Sequence, residues 1–189
     1  MNKKDFDIGD EIRCWGVCIP ENAGEEVAKT LKSTWINTGK KEKEFRQKVC
    51  KRFKAPYAIA CMSGTSALKI ALRALGVGPG DEVVSTPFTF IATNTSILEV
   101  GAKPVFADIQ YDTLNIDPKS VEEKITDKTK AIMCVHYAGN PVDLDELRAI
   151  ADKYNLPIIE DSAHAMTSEY KGQPIGSTGD IATFSFQCV

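Results

Sequence analysis

In LPIIEDSAHAM, residues 156–166, two carboxylates and an imidazole follow directly on a short apolar run that reads as a buried strand. A carboxylate at such a strand end loses hydration, which costs several kcal/mol unless a cation or hydrogen-bond donors compensate. Glu160 or Asp161 can be satisfied by capping the next turn or by meeting a surface lysine; alternatively, one of them faces a ligand with a positive centre. Under a heteroaromatic cofactor, an ionised Asp161 would hold a ring nitrogen protonated, and His164 would reach a ring oxygen. Such a salt bridge turns the ring into an electron sink.

Three other segments carry groups that fit the same kind of ligand. In CMSGTSAL, small residues let a ligand approach the main chain where a helix opens, and the first-turn amides and the helix dipole favour a dianion. Ser63, Gly64, Thr65 and Ser66 can thus cradle a phosphate, although an ordinary helix cap uses the same residues. STPFTFIAT offers Phe88 and Phe90, either as core residues or as flat rings that stack on a cofactor. In FSF, Ser185 lies between two apolar neighbours, where its hydroxyl can join the phosphate cradle or serve the fold alone.

The elements that must position these groups alternate. ENAGEEVAKTLKS and KKEKEFRQKVCKRFKA read as two helices joined by a turn at TWINTG. The second is basic, but Phe45, Val49 and Phe53 recur at four-residue steps and Glu42 and Glu44 interrupt the charge, as on a solvated amphipathic helix. From Tyr57 onward, YAIACM, DEVVSTP, KPVFADI, KAIMCVHY and LPIIED read as buried strands. TSALKIALRALG, TFIATNTSILEVG, DPKSVEEKIT and DLDELRAIADKYN carry helical periodicity between them. The alternation predicts an α/β fold, a mostly parallel sheet covered by helices on both faces. Ligands of such sheets bind beyond the carboxyl ends of strands, which points to the segments after Met62, Thr86, His136 and Asp161. YKGQPIGSTGD predicts a loop or hairpin, and IATFSFQ a last strand.

The 189 residues suffice for a substantial core, and a net charge of -3 gives no reason to expect nucleic acid or an anionic membrane as partner. No secretory or membrane-spanning run is visible, so a soluble cytoplasmic protein is expected. The six cysteines, Cys14, Cys18, Cys50, Cys61, Cys134 and Cys188, are scattered; free packing thiols are expected, and no metal site.

Taken in order, phosphate cradle, stacking aromatic, pyridinium acid and serine strand form a specific series. The segments SGTSAL, LGVGPGDEVVSTPFTFIAT, GAKPVFADI, TKAIMCVHYAGNPVDLDEL, LPIIEDSAHA and YKGQPIGSTGDIATFSF resemble the DegT/StrS-type nucleotide-sugar aminotransferases. The resemblance implies the large domain of the fold type I aminotransferases and the cofactor pyridoxal 5'-phosphate (PLP), or its amine form PMP. It implies that Gly64, Thr65, Ser66 and Ser185 meet the cofactor phosphate and that Phe90 lies against the ring. It also implies that Asp161 pairs with the ring nitrogen, that His164 lies near the ring oxygen, and that Glu160 faces away. Thr38 and Gly39 would border the sugar site, or simply form an interhelical turn.

By the same resemblance, residues 1–35 form an N-terminal segment and helix, and 36–189 an incomplete cofactor-binding domain. The family's Schiff-base lysine is expected directly after Val189, and a typical member runs to about twice this length with a smaller C-terminal domain. A fragment, or a break in the chain, is therefore expected. The implied reaction moves nitrogen from an amino acid, glutamate by expectation, to a keto group of a nucleotide-linked sugar, with carbon four the favoured position. A homodimer with shared active sites is expected. A sugar dehydratase on the same scaffold, or a non-catalytic cofactor-binding homologue, are the alternatives.

Overall fold

The computed structural model describes residues 19–187, which fall into two compact units, 19–41 with 187, and 42–186. In the first unit, helix α1 (Ala23–Lys32) carries Glu25 and Glu26 in its first turn and Lys29 and Lys32 in its last, the arrangement the helix dipole favours. Glu26 accepts from Lys29 at 2.8 Å and from Lys41 at 2.6 Å, and these two ammonium groups hold its carboxyl down at about 2.

The second unit is built on a five-stranded parallel sheet: β1 (Glu82–Ser85), β2 (Lys103–Phe106), β3 (Thr129–Val135), β4 (Ile158–Asp161) and β7 (Ile181–Thr183), in the order β2-β1-β3-β4-β7. A separate two-stranded hairpin, β5 (Glu169–Tyr170) with β6 (Gln173–Pro174), realises the turn expected in YKGQPIG. Helix α2 (Lys40–Phe53) precedes the sheet; of its apolar stripe, Phe53 is buried and Phe45 remains partly exposed.

Four helices cover the two faces. On one, α3 (Gly64–Ala74) and α4 (Ile91–Glu99) bring Leu68, Leu72 and Ile97 against Val83, Ala131, Met133 and Ile159. On the other, α5 (Pro118–Lys124) and α6 (Leu144–Tyr154) bring Val121, Leu147 and Ala151 against Val84, Ile132, Cys134 and Ile158. Successive strand residues go to opposite faces, so strands sandwiched between helices must be apolar at nearly every position. Local signals set the helix ends: Ser63 accepts from the Ser66 amide, Asp117 from Lys119 with Pro118 in the first turn, and Asp143 from Glu146. Asn155 ends α6 in the left-handed region, at φ 52°.

Two expectations need correction. YAIACM is irregular rather than a strand: it pairs with no neighbour among the described residues and leaves Tyr57, Ile59 and Met62 largely exposed. Apolar composition alone does not make a strand where the ladder is unpaired. Cysteines 50 and 134 are half-buried and buried, but Cys61 is exposed, its thiol donating to the Ser63 carbonyl at 3.3 Å, and so is no packing residue. Cys14, Cys18 and Cys188 lie outside the described residues. Among the described residues, no helix is long and apolar enough to cross a membrane.

The packing predicts a sharp contrast within α3. Leu72 is fully buried, whereas Ile70 is 44% exposed. Leu72→Ala should cost about 2–5 kcal/mol in urea unfolding, and Ile70→Ala under about 1 kcal/mol. Equal losses would contradict the assigned inward face.

Candidate functional site

All five strands run parallel, so their carboxyl ends form one edge, and β4 delivers Glu160 and Asp161 to it on opposite faces. Asp161 lies on the face of α3 and α4 and is only 5% exposed. Its Oδ2 accepts from the Thr93 hydroxyl of α4 at 2.7 Å, and its Oδ1 from the Ala163 amide at 3.3 Å. Thr93 spends its one proton on the carboxylate, so Thr89, 2.8 Å away, donates to Thr93 in turn. Burial pushes the Asp161 carboxyl above the ordinary aspartate value; the Thr93 and Ala163 bonds, and the imidazoles of His164 and His136, oppose that shift.

The residues expected to cradle a phosphate come together from distant parts of the sequence. A Cβ placed on Gly64 would stand 3.0 Å from Ser185 Cβ and 3.2 Å from its hydroxyl. A side chain at position 64 would push Ser185 back by a few tenths of an ångström, so glycine suits this close approach. Ser63 occupies the Ser66 amide at 3.1 Å, and the two hydroxyls lie 3.0 Å apart. Among the described residues the Gly64 and Thr65 amides make no bond within the protein, so this pair is the helix's available anion donor set. Ser96 Oγ of α4 reaches the Thr65 carbonyl at 3.5 Å, which ties the helix bearing Thr93 to the cradle turn.

An aromatic group borders the same edge. Phe88 packs on Tyr137 with ring centroids 4.5 Å apart, and Tyr137 meets the His164 ring edge-on at 5.9 Å. His164 is exposed, and its Nδ1 accepts from the Ala138 amide at 3.3 Å, which leaves the ring proton of the neutral form on Nε2. Phe90, the residue before α4, is 64% exposed and available for a flat contact. The buried atoms Ser85 Oγ, Asn94 Oδ1 and Ser162 Oγ have no hydrogen-bond partner among the described residues. Together these groups give an edge with a helix-opening turn, a buried acid and exposed rings, an arrangement that fits a phosphorylated heteroaromatic cofactor.

Thr38 and Gly39 belong to the unit containing residues 19–41, where the Trp35 indole N–H donates to the Thr38 carbonyl at 3.0 Å and stands directly against Gly39. Val189, after which the lysine is expected, is outside the described residues. Glu160 does turn away from Asp161, but it is fully buried and meets His136 Nε2 at 2.9 Å. Among the described residues no cluster of three or more histidine, cysteine, aspartate or glutamate side chains is arranged to hold a metal.

Thr93, Tyr137 and His136 escaped the sequence reading. Thr93 and Ser96, three apart in α4, are buried polar residues on one face, and that spacing is the signal that could have found them.

Residues 17–189 match the model of the DegT/DnrJ/EryC1/StrS aminotransferase family. The chain belongs to this family. Among similar proteins is the spore coat polysaccharide biosynthesis protein SpsC of Bacillus subtilis, 45% identical over 162 residues, which are 86% of this chain and 42% of that protein. The PLP-form structure of Spr1654 from Streptococcus pneumoniae superposes with a TM-score of 0.90 at 40% identity, covering 94% of this chain and 49% of that one. An aminotransferase from Psychrobacter cryohalolentis gives 0.88 at 43% identity, covering 93% and 45%. The chain thus spans less than half the length of these relatives. Its sheet with helices on both faces is the large domain of the family's fold.

The raised Asp161 carboxyl has a consequence for the unliganded protein. The folded state binds this proton more tightly than the unfolded chain, so stability falls as pH rises from the usual aspartate range through the folded value. Asp161→Asn, neutral throughout, should therefore melt higher than the parent at neutral pH, with the gap closing in acid. Thermal melts at both conditions check this; a variant melting lower at neutral pH would contradict it.

Proposed function

We propose that this chain is the cofactor-binding part of a PLP-dependent aminotransferase acting on a nucleotide-linked keto-sugar. The observation that carries the reading is the approach of Gly64 to Ser185 at the same sheet edge as the buried Asp161. The PLP and PMP forms in which Spr1654 was solved support the cofactor, and the name of SpsC supports a carbohydrate product. The segments VHYAGNPVDLDEL and EDSAHA support amination at carbon four, and the family resemblance supports glutamate as donor and a homodimer as working unit.

When bound, the cofactor supplies a protonated aromatic ring that takes up electron density from the substrate carbon as its proton is moved. The residues of this chain prepare that chemistry. Gly64 and Thr65 amides and the Ser185 hydroxyl hold the phosphate at the start of α3, with Ser63 and Ser66 bonded to each other to shape the turn. Asp161 keeps the proton on the ring nitrogen, and Thr93 fixes which carboxylate oxygen is presented. Nε2–H of His164 donates to the ring oxygen, and Phe90 covers the ring and excludes water.

Because the charge-assisted bond to the ring strengthens as the reaction proceeds, Asp161 contributes more to rate than to substrate binding. Asp161→Ala in the catalytically complete protein should lower kcat by orders of magnitude while circular dichroism shows the fold intact; near-normal turnover would remove the assignment. The phosphate half is testable without turnover. Gly64→Ala favours the helix locally but places a methyl against Ser185. Its affinity for PMP, followed by cofactor fluorescence, should fall by about tenfold or more, equivalent to about 1.4 kcal/mol. Unchanged affinity would exclude this turn as the phosphate site.

A further inference from the structure

Glu160 and His136 are both fully buried, and the chemistry proposed above uses neither. His136 Nδ1 accepts from the Val142 amide at 3.2 Å, which leaves the ring proton on Nε2, directed at Glu160 Oε2 2.9 Å away. The same Oε2 accepts from the Gly176 amide at 3.3 Å, and Oε1 from the Gly179 amide at 2.7 Å. Every partner donates, so the carboxylate acts as an acceptor at both oxygens. It gathers the end of β3 and the segment before β7 around the end of β4.

That segment leads into Ser185. A Cβ on Gly179 would fall on the Glu160 carboxylate, and one on Gly176 would stand 2.7 Å from the Phe184 ring, next to Ser185 in the chain. Phe184 stacks on Phe53 of α2 at 4.2 Å, and the Thr183 hydroxyl donates to the Glu160 carbonyl at 3.3 Å. A path therefore runs from Glu160 through its bond to Gly176, past the Phe184 ring that leaves no room for a side chain at position 176, to Ser185.

We propose that Glu160 is a positioning residue: through Gly176 and Gly179 it fixes the chain after β7, sets Ser185 against Gly64, and so determines the affinity of the site for the cofactor phosphate. This rests on the reading that Ser185 is a phosphate ligand. Consecutive residues of one strand then serve the two ends of one ligand, Asp161 directly on the ring and Glu160 indirectly on the phosphate.

The test compares PMP with pyridoxamine, which lacks the phosphate, by fluorescence titration of the purified parent protein and of Glu160→Gln. The amide side chain keeps the volume but must turn an N–H toward one of three N–H donors. The ratio of the two affinities is the readout, because a general loss of folded protein lowers both equally. The ratio should fall at least tenfold in Glu160→Gln, with faster amide exchange over residues 176–183. Gly179→Ala, which displaces the same contact from the loop side, should lower the ratio in the same way and stands in if Glu160→Gln does not fold. The double variant should be little worse than either single one. A parent-like ratio in the variants overturns the positioning role alone. A parent protein that binds PMP no better than pyridoxamine overturns the phosphate reading itself, and the positioning role with it.

Discussion

Two adjacent carboxylates close a strand that is covered on both faces, and each must be satisfied on its own side. The pleat sends Glu160 and Asp161 in opposite directions, so no single partner can serve both. Either carboxylate, left unpaired in the interior, would cost several kcal/mol. The surroundings of β4 answer that constraint. On one face the Thr93 hydroxyl and the Ala163 amide meet Asp161; on the other, one imidazole and two glycine amides meet Glu160. The two solutions differ in kind. Glu160 gathers three donors, whereas Asp161 keeps a carboxyl that burial biases toward its neutral form, a state a cationic ring would reverse.

The parallel sheet explains why such groups meet at all. The strands all run in one direction, so each strand end opens onto a turn at the same edge. Gly64 and Ser185, distant in sequence, face each other there, and α4 carries Thr93 to Asp161 while Ser96 reaches the turn of α3. Packing of Leu68, Leu72 and Ile97 beneath the sheet holds these helices in register. The apolar core thereby fixes polar distances that no local interaction could maintain.

Much of this was legible in the sequence. Capping residues, apolar runs and their alternation specify the parallel sheet and its helices, because those signals are local and the central strands β1, β3 and β4 are buried on both sides. Gly64, Ser185 and Asp161 were visible because glycine, serine and aspartate at strand ends need a reason. YAIACM was misread because strand formation depends on a pairing partner that its composition does not encode. The bonds of Thr93 and Glu160 were hidden because they cross between elements far apart in the chain; a buried threonine or glutamate looks like any other until its neighbours are known. His136 was hidden for the same reason, since only the fold brings it within 2.9 Å of Glu160.

The central claim is that Asp161 meets a protonated ring nitrogen, and it is tested most directly by removing that nitrogen. Affinities of PMP and of its analogue with carbon in place of the ring nitrogen would be measured for the parent protein and for Asp161→Asn. A desolvated charge-assisted bond is worth roughly 1.5–3 kcal/mol, so the parent should prefer PMP by about tenfold or more and the variant should lose most of that preference. Equal affinities in the parent, or a preference that survives in Asp161→Asn, would contradict the account.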